Sequence, residues 1–261
     1  MKQLNASLYS EFLKIIRSKI LIGTIIALSL APIMGSIFVI VLRNSSLTEG
    51  NSALQAKASI TGFSPDWASF INLIGQAVGV GGIIVFGFIS SWVFGREYSD
   101  HTVKDLLVLP VSRFIIVISK LIAVFIWSIF LVIFISVLAL ILGFLLKLPG
   151  WSFKIYCQSL LQITIITGQV ILLCTPVTFI ASVGKGYLAP LAFVILSVVL
   201  AQIIGALGYG AFFPWAIPAI YSKIVGTHTI LTYMSYIILI LTGLTGLICT
   251  IYWWKFADQT K

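Results

Sequence analysis

The charged residues of this chain divide it into long apolar blocks. Cutting at each of them leaves six long uncharged runs: Ile20–Leu42, Trp67–Gly95, Leu121–Leu146, Ile155–Gly184, Gly186–Ser222 and Ile224–Trp254. The shortest holds 23 residues, and a helix crosses the hydrocarbon core with roughly 20 apolar residues. Each run therefore predicts one crossing. The fifth is 37 residues long, but two full spans inside it would leave no turn between them. The pattern predicts an all-α integral membrane protein with six transmembrane helices, at about 20–42, 69–95, 114–146, 155–183, 187–208 and 230–254. Residues 1–261 form a single six-span domain, with 1–19 as an interfacial elbow.

The elbow has its own periodicity. Leu4, Leu8, Tyr9, Phe12, Ile15 and Ile16 recur at helical spacing, with Lys2, Asn5, Ser7, Glu11, Lys14 and Arg17 on the opposite face. Such a helix suits the membrane interface, its apolar face towards the acyl chains. Leu8, Phe12, Lys14, Ile15 and Arg17 are its candidate contact residues, as a surface anchor or as a brace for a partner.

Composition agrees with the pattern. The chain is 60% hydrophobic and 9% charged, with a mean hydropathy of +1.14. A soluble domain is about 45–50% apolar and about 25% charged, so a water-soluble enzyme is excluded. The net charge of +9 suggests nucleic acid until it is placed on the topology. An even number of spans puts both termini on one side, which carries 11 of the 16 basic residues. By the positive-inside rule that side is cytoplasmic. No basic stretch is interleaved with aromatics, so nucleic acid is not an expected partner. Pro32 would follow any cleavage site after Ala31, and the apolar run continues to Leu42, so the first helix reads as retained.

Candidate chemistry narrows the function further. No CxxC, HExxH or GxSxG occurs, and His101 and His228 fall in connections on opposite sides. Gly184-Lys185-Gly186 lacks the rest of a phosphate-binding loop. No catalytic residue, metal site or cofactor of this chain's own is expected, and energy for uphill transport has to enter from another subunit. No acidic or basic residue lies deep in any of the six runs, which argues against proton relays. Lys120, in the first turns of the third span, is expected to project into the cytoplasm or snorkel there.

Three of the seven acidic residues fall in the second connection, Glu97, Asp100 and Asp105. Ser99 or Asp100 can cap a short helix there, Asp100 and Lys104 stand at i,i+4, and Pro110 ends it. Val103, Leu106 and Leu107 form an apolar stripe on this helix, which needs a packed surface to be stable. The outer loop between the first two spans, 43–66, is polar, with at most a short helix near 52–59. Tyr209–Tyr221 is aromatic and uncharged, and includes Phe213, Pro214, Trp215 and Pro218. It fits two short helices dipping back into the outer leaflet, or an interfacial Trp/Tyr belt. Gly75, Gly79 and Gly82 line a small-residue face suited to close helix contact. This face and the aromatic segment are candidates for a permease–permease contact or a substrate path.

Over nearly its whole length the chain resembles the permease subunits of type-2 ABC exporters. The resemblance rests on Glu11–Lys19, on Phe94–Leu107 with Leu109–Arg113, and on Phe213–Pro218. The second stretch is similar to permeases of bacterial peptide-antibiotic export and immunity systems of the bacitracin and lantibiotic type, although an Arg is common where this chain has His101. The resemblance implies a half-transporter in a bacterial cell membrane. Two permeases, identical or paralogous, would pair with two cytoplasmic ABC ATPase subunits that carry the ATP and Mg2+. It also implies that Glu97, Tyr98, Asp100, His101, Thr102, Val103, Lys104, Asp105, Leu106 and Leu107 form the coupling helix seated in the ATPase. The cargo would be amphiphilic, a peptide antibiotic or toxin. Sodium extrusion and a resistance scaffold that captures antibiotic without moving it are the alternative readings.

Overall fold

The computed structural model describes residues 2–43, 63–100, 102–103, 111–224 and 230–256. Among them the chain forms α1 (Lys2–Ile16), α2 (Lys19–Arg43), α3 (Trp67–Ser99), α4 (Arg113–Leu145), α5 (Phe153–Val183) and α6 (Leu188–Ala206). Two 3-10 turns (Gly210–Phe212 and Pro214–Ala216), a short α7 (Ile217–Tyr221) and α8 (Tyr233–Phe256) follow. Six of these helices, α2 to α6 and α8, are long and apolar enough to cross a membrane. The expected helix near 52–59 lies outside the described residues.

Local chemistry sets several boundaries. Asp66 caps α3, its Oδ1 accepting the Ser69 N–H at 2.8 Å, while the Ser64 hydroxyl donates to Oδ2 at 2.6 Å. Burial would raise the Asp66 pKa, but the donors from Ser64, Ser69 and Ala68 outweigh it and hold the carboxyl below the usual aspartate range. The stability this cap contributes is therefore present at neutral pH and lost as pH falls through that depressed value. Ser112 caps α4 through the Ile115 N–H. Pro176 sits inside α5 and leaves the Leu172 carbonyl without its helical donor. The Thr175 hydroxyl stands in for it, 2.9 Å from that carbonyl and 2.5 Å from the Gly243 carbonyl of α8.

The central pair is α3 and α5, with α6 and α2 packed on α3, α8 on α5, and α4 against both α2 and α3. Phe70, Ile74, Phe86 and Ile89 of α3 and Ile166 and Val170 of α5 are fully buried. The outer stripes stay apolar and exposed, for example Ile22 and Ile26 on α2, Leu196 and Val199 on α6, and Ile240 and Leu244 on α8. That inversion is expected where lipid is the solvent, because packing rather than hydrophobic burial joins the helices.

At the end of the bundle carrying α1 and the last turn of α8, here the basal end, a Cβ on Gly95 would come within 2.6 Å of the Gly186 backbone. Only glycine lets the α5–α6 connection cross α3 so closely. Two of the three glycines on the small-residue face of α3 meet other parts of the same chain. Gly75 faces Ile163 and Ile166 of α5, and a Cβ on Gly79 would meet Ser222 and the Pro218 carbonyl. Around Gly82 the nearest side chains, Val78 and Phe86, belong to α3 itself.

The stretch after α6 does not lie over the helix tips. Trp215 meets Phe193 of α6 edge-on at 5.3 Å, and Ser222 reaches Gly79, 12 residues or about 18 Å along α3 from Trp67. Pro218 is buried, while Phe213, Pro214 and Trp215 are half-buried. The run from Gly186 to Ser222 thus holds one helix long enough to span and three short elements, with a proline in the first turn of each of the last two.

Candidate functional site

The basal end contains the chain's most concentrated chemistry. Helix α3 does not stop at Gly95 but continues to Ser99, and helical periodicity turns Glu97 inward below Val93. Two turns into α4, Lys120 has no exposed surface. Its ammonium lies 3.2 Å from Glu11 Oε1, 3.1 Å from Glu97 Oε1 and 3.0 Å from the Val93 carbonyl, one acceptor for each of its three protons. Lys14 of α1 reaches the same two carboxylates, at 3.0 Å from Glu11 and 2.7 Å from Glu97.

The result is an alternating square of two carboxylates and two ammonium groups with no net charge. The Thr102 hydroxyl donates to the second Glu97 oxygen at 2.8 Å, and its N–H donates to the Glu97 carbonyl at 2.9 Å. Ser7 and Ser119 add a hydroxyl contact at 2.7 Å between α1 and α4. Burial alone would lower the Lys14 pKa, but the carboxylates of Glu11 and Glu97 outweigh it and raise the pKa above the usual lysine value. Lys14 thus stays charged at neutral pH, and its contribution is lost only as pH rises through that raised value. Each buried charge is costly alone and tolerable only because the others are present.

This arrangement corrects the placement of several residues. Glu97, Tyr98 and Val103 were expected on a short helix seated in a partner; all three are buried within the chain itself. Tyr98 packs edge-on against Trp254 of α8 at 6.0 Å. The extra turn of α3 carries Glu97 and Tyr98 into the bundle, where cations compensate Glu97. Lys120 was expected to snorkel outwards, and it is sealed inside with acidic partners. Glu11, assigned to the polar face of the elbow, points into the bundle together with Ile15. Tyr9 and Ile16 are the exposed large hydrophobic residues among the described side chains of α1. Leu8, Phe12 and Lys14 are half-buried and Arg17 is exposed.

Among the described residues of this region, Asp100 is the acidic one that remains outside, paired to Arg96 at 3.1 Å. Thr102 is half-buried beneath it. His101, Lys104, Asp105, Leu106 and Leu107 lie outside the described residues. Glu11, Ser119 and Lys120 were missed as site residues. The available signal was a lysine set among apolar residues at the start of a span, which demands an acidic partner. Among the described residues no three His, Cys, Asp or Glu side chains come together as a metal cluster.

Comparison with known proteins agrees with the fold. The profile of a family described as "ABC-2 family transporter protein" matches residues 7–202. The chain belongs to this family, and with six apolar helices it is a multi-pass protein of the cell membrane. The chain is also similar to the bacitracin transport permease protein BCRB of Bacillus licheniformis, with 30% identity over 135 residues, covering 52% of this chain. It spans 65% of the length of that relative. The family match includes the whole charge square and ends before the segment at 210–222.

Proposed function

We propose that the chain is the permease subunit of an ATP-driven exporter, moved by a separate cytoplasmic ABC ATPase. The observation that carries this reading is the buried charge square, which ties α1, α3 and α4 together beside the α3–α4 connection. A motor docked on that connection would push on a rigid corner rather than on a loop. Thr102 links the start of the connection to Glu97, and Glu97 links to Lys14 and Lys120, so displacement passes to three helices at once. The exposed Asp100, with Lys104 and Asp105, would meet the ATPase, and Glu97 would transmit from inside.

In this reading the basal end is cytoplasmic, as the excess of lysine and arginine there supports. The segment at 210–222 is re-entrant from the outer side. Two copies of the permease, or this chain and a paralogue, would pair with two ATPase subunits. The uncharged outer stripes suit an amphiphilic cargo, and the relative named for bacitracin transport makes a peptide antibiotic the first to test.

Co-purification tests the reading. An ATPase of the same bacterium should be captured by the tagged chain and lost, about tenfold or more, when Asp100→Lys, Lys104→Glu and Asp105→Lys are combined. Full transport in liposomes by the chain alone, with no ATPase added, would contradict it.

A further inference from the structure

Beside the charge square, between α1, the start of α2 and α3, lies an open groove of about 510 Å³. Lys14, Arg17, Lys19 and Arg96 line it, with Trp92 and Ser18, and no carboxylate does. Four cations converging on one concave surface attract anions, and two of them are uncommitted. Arg17 and Lys19 have no ion-pair partner among the described residues. Arg96 gives its Nε to Asp100 and lies over the Trp92 ring at 5.0 Å, which leaves its other N–H groups available. Lys14 is shared with Glu11 and Glu97.

We propose that this groove binds the headgroup of an anionic phospholipid. The phosphate is the part the cations recognise, and the position of the groove selects a lipid over a free anion. It opens where α1 ends and α2, the first candidate span, begins. Directly beyond it α2 presents Ile22, Ile26 and Leu30, each exposed and spaced one turn apart. Head and acyl chains therefore find matching surfaces, one basic and one apolar, in the order a bilayer lipid presents them. Basic pockets beside membrane helices act on lipid headgroups through the same pairing of charge and depth. Trp92 supplies the flat, amphipathic wall suited to this level. A lipid held here would bridge the elbow to α3 through Arg17 and Arg96, next to the charge square but without using its carboxylates. The proposal rests on membrane insertion alone, not on pairing with an ATPase.

Native mass spectrometry of the full chain, extracted from vesicles of equal phosphatidylglycerol and phosphatidylcholine, tests it. The wild type should retain phosphatidylglycerol over phosphatidylcholine by about tenfold or more, and Arg17→Gln with Lys19→Gln should bring the ratio towards one with unchanged elution on gel filtration. Equal retention of the two lipids by the wild type, or undiminished preference in the double variant, would overturn the site. A competition on the wild type needs no variant to fold. Short-chain phosphatidylglycerol should displace the bound lipid while inorganic phosphate at the same concentration does not. Displacement by phosphate alone would mean a soluble anion site and overturn the lipid. Loss of a captured protein partner, with lipid retention intact, would make the groove a protein contact and overturn it too.

Discussion

Two helix junctions flank the central α3–α5 pair and solve the same problem with different chemistry. At the basal corner, α1, α3 and α4 meet through four charged side chains, Glu11, Lys14, Glu97 and Lys120. Along the seam of α5 and α8, the polar contacts are neutral. Thr178 and Thr250 share a hydroxyl contact at 3.0 Å, the Trp254 N–H donates to Ser182 at 2.8 Å, and a Cβ on Gly246 would overlap the Pro176 backbone. The neutral seam depends on close approach, and each hydroxyl has a carbonyl of its own helix to fall back on. The charged corner has no such reserve. Removing one member strands the others, so the corner either holds as a unit or opens as a unit. That is the behaviour the proposed function requires of a transmission point.

Breaking each junction by one side chain should separate the two cases. Lys120→Met leaves Glu11 and Glu97 with only Lys14 between them, and uncompensated buried charge costs about 3–5 kcal/mol. Unfolding in detergent should shift by that much, and neutralising Glu11 as well should recover part of the loss. Thr178→Val removes a neutral contact and should cost only about 0.6 kcal/mol, the average for hydroxyl bonds between membrane helices. Equal losses from the two substitutions would erase the distinction between corner and seam.

The difference also explains what was readable before the structure. Spans show as uncharged runs because a charge in hydrocarbon is costly, so Ile20–Leu42 and Leu121–Leu146 announced α2 and α4 directly. Periodicity within α1 was readable too, but which face turns inward was not. Glu11 belongs to the polar stripe by sequence, and only the presence of Lys120, 109 residues away, makes its burial favourable. Glu97 was placed in a connection because a charge usually ends a span. Here α3 runs through it, since Lys14 and Lys120 arrive from two other helices. Long-range charge compensation has no local signature. The close approach at Gly79 was likewise legible as a small-residue face, while its occupant, Ser222, was fixed by the fold of a segment 143 residues further on.

In the proposed function the charge square carries motion from a docked motor into α1, α3 and α4. Proteoliposomes containing the chain with its co-purified ATPase, and bacitracin as the probe cargo, measure this with Glu97→Gln against the wild type. The folded variant should still capture the ATPase and hydrolyse ATP, while ATP-dependent bacitracin movement falls about tenfold, a coupling loss within the usual 1–3 kcal/mol. Wild-type transport by a folded Glu97→Gln chain would contradict it.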